Sequence, residues 1–204
     1  MSSGFRQHLR RAIELAQQAR DHGNHPFGAL LVDGRGNVVL EAENTVRTAK
    51  DVTAHAETNL MRMASARFAP EFLERCTLYT STEPCAMCAG AIYWGNVRHV
   101  VFGLSQEQMQ SISNSNPENM QLAITSREIF ARGDHPVEVS GPHLPKESSA
   151  VHEQRPEGMV AVVACLLREL DRPSQVLTEP VTHPRRRYRR RRERRRGWVS
   201  RQSS

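Results

Sequence analysis

Leu9, Ala12, Ile13, Ala16 and Ala19 recur at the three- and four-residue spacing of one helical face. Gly23 and Pro26 interrupt that pattern, which predicts a first helix ending near Asp21. Two short apolar runs follow, FGALLVD (27–33) and NVVLEAE (37–43), separated by Gly34-Arg35-Gly36. They predict a pair of antiparallel strands joined by a glycine turn. In TAHAETNLMRMASARF (53–68), Ala56, Leu60, Met63 and Ala64 share one helical face, and His55 and Glu57 fall in the first turn. CTLYTS (76–81) has the pattern of a buried strand, PCAMCAGAIYW (84–94) of a helix opened by Pro84, and RHVVFGL (98–104) of a further strand.

Strand, helix and strand in alternation imply a sheet covered by helices and at least partly parallel. The expected fold class is α/β, a three-layer α/β/α sandwich with a mixed sheet. Ligands of such sheets bind at helix N-termini beyond strand ends. Further on, SISNSNPENMQ (111–121) is expected as a polar loop and VEVS (137–140) as an edge strand. LPKESSAVHEQ (144–154) and GMVAVVACLLREL (158–170) are expected as helices.

Composition changes the picture at the C-terminal end. Residues 172–204 hold twelve Arg and two Glu, a charge of +10, which leaves residues 1–171 at −4 although the whole chain carries +6. The basic balance therefore belongs to the tail and implies no basic groove on the body. The chain divides into an expected folded domain, 1–171, and an Arg-rich tail, 172–204, without apolar periodicity and expected to be disordered. No run approaches about 18 apolar residues and the first helix lacks a signal-peptide core, so a soluble cytoplasmic protein without membrane association is expected.

The four cysteines are Cys76, Cys85, Cys88 and Cys165. Two of them three residues apart, in a chain without a secretory pattern, favour metal or redox chemistry over disulfides. Cys76 and Cys165 lie in apolar surroundings and are expected to pack in the core. Cys85 and Cys88 share one face of a helix first turn, where free N–H groups and the helix dipole favour thiolates. His55 opens another helix and can supply a third ligand, because imidazole and thiolates suit Zn²⁺. Three protein ligands leave a fourth position for water, whose pKa such a site lowers to about 7. Glu57, two residues from His55, need not coordinate and is placed to carry protons. His55-Ala56-Glu57 followed by Pro84-Cys85-Ala86-Met87-Cys88 fits the zinc-deaminase signature. His22, His25 and His99 lack metal spacing to the cysteines and take no role. Gly28 is expected to permit a close approach near the pocket.

On these motifs, with HPFGALLV, EAENTV, TLYTSTEPCAMCAGAIYW and HVVFGLS, the chain resembles the cytidine deaminase-like superfamily over roughly residues 5–145. Within it, the likeness is to the guanine deaminase and bacterial nucleoside deaminase branch. The resemblance implies one Zn²⁺ per chain held by His55, Cys85 and Cys88, with Glu57 as proton shuttle. It implies base or sugar contact by Asn44, backbone contact by Ala56, and packing of Phe27 and Trp94 against a flat ring. For Asn44 the ordinary alternative is a turn residue, and for Phe27 and Trp94 it is core packing. The run GAIYW favours guanine or a related aminopurine as the small-molecule substrate. Family members of this branch cover the site with C-terminal aromatic residues, which RPEGMVAVVACLLREL does not match. The resemblance also implies a homodimer.

Three functions compete at this point: hydrolytic deamination of a free base or nucleoside, with a cytosine-type enzyme as an alternative; deamination of a tRNA base, the tail binding polyanions weakly through phosphates; and a non-enzymatic binding module with structural zinc. Glu57 separates the last from the others, because structural zinc has no use for that carboxylate.

Overall fold

The computed structural model describes residues 3–113 and 122–153. The expected helix at 158–170, Cys165, the tail and its boundary at Asp171 lie outside them. Along the chain run α1 (Ser3–Asp21), β1 (Gly28–Val32), β2 (Val38–Glu43), α2 (Val46–Ala49), α3 (Ala56–Arg67), α4 (Pro70–Leu73) and β3 (Thr77–Thr82). Then come α5 (Ala86–Trp94), β4 (His99–Leu104), α6 (Gln106–Ser113), α7 (Ser126–Phe130), β5 (Glu138–Ser140) and α8 (Pro145–Glu153).

Five strands form one mixed sheet in the order β2-β1-β3-β4-β5. β1 is antiparallel to both β2 and β3, whereas β3, β4 and β5 are mutually parallel where they pair. Because strand side chains alternate between faces, the apolar runs of β1, β3 and β4 serve two cores at once. Ala29, Leu31, Leu78 and Val100 face a cluster with Leu60, Ala64, Ala89 and Ile92 of α3 and α5. Leu30, Val32, Tyr79 and Val101 face the other cluster, with Leu9, Ala12, Ala16 of α1 and Val151 of α8. The three-layer sandwich follows directly from that alternation.

Five expectations need correction. Met63 is 38% exposed, and Met61 is buried in its place. α3 packs against α5 as well as the sheet, which turns the buried stripe toward residues 57 and 61; a side chain on Gly95 would strike Met61 Cε. Pro84 does not open α5, whose N-cap is Cys85 in extended conformation. His55 likewise precedes α3 as its N-cap. The polar run 111–121 begins inside α6, with the remainder, 114–121, outside the described residues. Gly28 does serve a close approach, but to the backbone of α1 and not to a ligand: a Cβ there would lie 2.5 Å from Ala12 O and Ala16 N. Among the described residues no helix is long and apolar enough to cross a membrane.

Candidate metal centre and active site

The parallel pair β3 and β4 points its C-terminal ends toward one side of the sheet, where the β3–α5 turn meets the start of α3. Three side chains converge there, His55, Cys85 and Cys88, with ligand atoms all within 4.8 Å of one another. Tetrahedral zinc, with Zn–S of about 2.3 Å and Zn–N of about 2.0 Å, sets a sulfur and a nitrogen ligand about 3.5 Å apart. His55 Nδ1 lies 3.6 Å from Cys85 Sγ and 3.5 Å from Cys88 Sγ. The residues fit the metal in both chemistry and spacing. A hydrogen bond from Cys88 pulls the Cys85 thiol well below its ordinary range, and the same contact pushes Cys88 up, so one thiol holds a proton that a divalent cation would displace. His55 is pushed up, chiefly by its contact with Cys85.

Glu57 is the second residue of α3 and is buried. Its Oε1 accepts a hydrogen bond from Thr80 Oγ1 at 2.7 Å, and its Oε2 lies 3.4 Å from Cys88 Sγ. Burial raises its pKa above the ordinary carboxylate value. A carboxyl that holds its proton more readily than usual, next to a metal site, is suited to accept a proton and release it again.

The loop from β2 to α3 carries Asn44 and His55, and an asparagine on the helix shapes it. Asn59 directs Nδ2 at Glu43 O (3.0 Å), Thr45 Oγ1 (3.0 Å) and Ala54 O (3.2 Å). On the outer side, Asn24 Oδ1 accepts from the N–H groups of Arg47 and Thr48. Asn44 is buried; its N–H donates to Phe27 O, and its Oδ1 accepts from Val46 N–H, the geometry of a turn residue. Ala56 is fully buried at the first position of α3. Phe27 is half-buried against the core, with the His152 ring 5.1 Å from it.

Trp94 stands apart. It ends α5, about 13 Å along the helix axis from Cys85, and is 86% exposed, which excludes core packing. His22 hydrogen-bonds to Glu43, and His99 Nδ1 lies 3.3 Å from a Glu138 carboxylate oxygen. Cys76 is buried in the main core and pushed up to about 11 by desolvation.

Sequence reasoning missed Asn59, Thr80 and Glu83. Glu83, beside the Pro84-Cys85 turn, is buried and accepts from Ser126 Oγ (2.7 Å), Ser126 N–H (3.2 Å) and Gln106 N–H (3.1 Å). A charged residue at the end of a buried strand was the available signal.

A triad of one imidazole and two thiols at two helix starts, two of its members half-buried and Cys88 fully buried, with a buried carboxylate beside it, defines a zinc-binding deaminase site. The pattern described as "Cytidine and deoxycytidylate deaminase zinc-binding region" matches residues 3–104, and the chain belongs to that family. A probable cytosine deaminase of Schizosaccharomyces pombe is 46% identical over 146 residues, 72% of this chain and 88% of the relative. Guanine deaminase of Bacillus subtilis is 43% identical over 95 residues, 46% of this chain and 60% of its own. Among solved structures, one from a study of A-to-I editing by tRNA:A34 deaminases superposes with a TM-score of 0.55 at 28% identity, covering 71% of this chain and 98% of that one.

Proposed function

We propose that this deaminase hydrolyses the exocyclic amine of a free nucleobase, releasing ammonia. The observation that carries the reading is Glu57, a buried carboxylate between Thr80 and the metal-binding Cys88. Zinc, when bound by His55, Cys85 and Cys88, supplies a water activated for attack at neutral pH. Glu57 accepts one proton of the attacking water and passes it to the ring nitrogen, then takes the second from the hydroxyl now on the carbon and delivers it to the departing amine. The carbon gains oxygen as it loses nitrogen, and the carboxylate ends as it began. Ala56 offers its backbone and Asn44 its amide to the base, and Phe27 offers the edge or face of its ring.

For Trp94 to touch the ring, it must come from a second copy of the chain, since it lies a helix length from its own metal ligands. A homodimer is therefore part of this reading. Sedimentation showing a monomer at micromolar concentration would remove both.

On the choice of base, a relative matched over 88% of its length and named a probable cytosine deaminase weighs more than the five-residue run GAIYW that favours guanine. Cytosine is the first substrate to try and guanine the second. Residues 172–204, at +10, form an accessory segment that binds polyanions with steep salt dependence. The test is ammonia release from cytosine, guanine, adenine, their nucleosides and tRNA, by wild type, by Glu57→Gln and by a chain ending at Asp171. Free bases should be turned over by wild type and by the shortened chain. Glu57→Gln should keep its zinc and lose at least about 10²-fold. Activity confined to tRNA, and lost with the tail, would establish the RNA reading instead.

A further inference from the structure

We infer that Thr80 is a positioning residue that divides the work between the two oxygens of Glu57. The inference rests on the reading of Glu57 as the proton carrier.

Thr80 lies in the middle of β3, paired with Ala29 of β1 on one side and Phe102 of β4 on the other, and is fully buried. Both neighbouring strands hold its backbone, and a β-branched side chain has little freedom about χ1. Its hydroxyl is thus a fixed point of the sheet, while Glu57 reaches it from a helix in a different layer. The 2.7 Å contact with Oε1 is a well-formed hydroxyl hydrogen bond, at the usual distance for that donor and at the upper limit for a charge-assisted one.

A carboxylate held only by its own side chain turns freely about its last torsion and exchanges its oxygens. Thr80 removes that freedom. With Oε1 bound to the sheet, Oε2 is the oxygen left facing the metal site, 3.4 Å from Cys88 Sγ. The hydroxyl also has a second acceptor within reach, Thr82 O at 3.1 Å. A hydroxyl has one proton, so it can turn to that carbonyl without being left unpaired when Oε1 no longer accepts. Thr80 is fully buried and is not among the converging metal ligands, so its effect is on which oxygen works and where that oxygen stands. Misplacement of a reacting group by about 1 Å can cost on the order of 10²-fold in rate, so loss of the anchor appears in turnover.

The experiment compares zinc-loaded wild type, Thr80→Val, Thr80→Ser and Glu57→Gln for kcat and KM on the best free base of the panel, with zinc content measured for each. Thr80→Val keeps the shape and removes the donor. It should lose about tenfold or more in kcat with KM within about twofold and zinc unchanged, while Thr80→Ser recovers most of the rate. Should Thr80→Val fail to fold with its metal, Thr80→Ala takes its place with the same expected and refuting results. Wild-type kcat in the donorless variant, or Thr80→Ser as slow as Thr80→Val, overturns the inference while leaving an inactive Glu57→Gln to support the shuttle. An active Glu57→Gln overturns the reading beneath it.

Discussion

Replacing Glu83 by alanine tests how the metal turn is held in place. The carboxylate accepts three hydrogen bonds, two from Ser126 and one from Gln106, at the first residues of α7 and α6. The Arg127 guanidinium stands 4.0 Å away. In Glu83→Ala, Ser126 N–H stays fully buried without an acceptor, at a cost of about 1–3 kcal/mol. Gln106 is half-buried, so water can replace its lost bond in part. Adding the charge-assisted bonds and the attraction between a carboxylate and two helix N-termini brings the expected loss to about 3–5 kcal/mol. For a folded body of this size that is about 10 °C in Tm. Glu83→Gln keeps an acceptor for Ser126 but sets its own NH₂ group against Gln106 N–H, so it should lose about half as much. Neither variant removes a metal ligand, so zinc content should remain near one per chain. Thermal unfolding of the zinc-loaded proteins is the assay. Glu83→Ala melting within about 2 °C of wild type, or Glu83→Gln falling further than Glu83→Ala, would refute the account.

Cys88→Ala should abolish stoichiometric zinc, because two remaining ligands cannot hold it; full metal by elemental analysis would exclude the ligand set. His152 is driven down to about 4 by burial, while in the unfolded chain it titrates near 6.5. Between those values the unfolded state binds more protons, so folding stability falls as pH drops from about 6.5 toward 4, by at most about 3 kcal/mol. His152→Phe should show a smaller difference in Tm between pH 7 and pH 5 than wild type; equal differences would show that His152 is not the group responsible. Gly28→Ala should cost about 2–3 kcal/mol in a urea titration, because its methyl group would meet the α1 backbone; an unchanged midpoint would mean that α1 shifts freely.

Much of this molecule is legible in its sequence. The α1 stripe, the glycine-turned hairpin and the buried strands are local patterns, and side-chain periodicity reports them because each element meets the core along one stripe or on alternate faces. The metal ligands are legible for a related reason: Cys85 and Cys88 are three residues apart, and a helix turn makes that spacing a shared face. Their meeting with His55, 30 residues away in sequence, has support in the sequence only from resemblance and needs the β3–α5 turn beside α3 to become geometry.

The tertiary structure decided what depends on contacts between elements. Met61 and not Met63 is buried because α3 has two neighbours, and a single-face pattern cannot count neighbours. Gly28 meets α1 and not a ligand. Trp94 is exposed and not in the core, and no local signal distinguishes an aromatic residue facing solvent from one facing the sheet. Asn59, Thr80 and Glu83 reach partners 14 to 43 residues distant, where sequence spacing carries no information. Helix and strand periods specify which side a residue faces; only packing specifies what stands there to meet it.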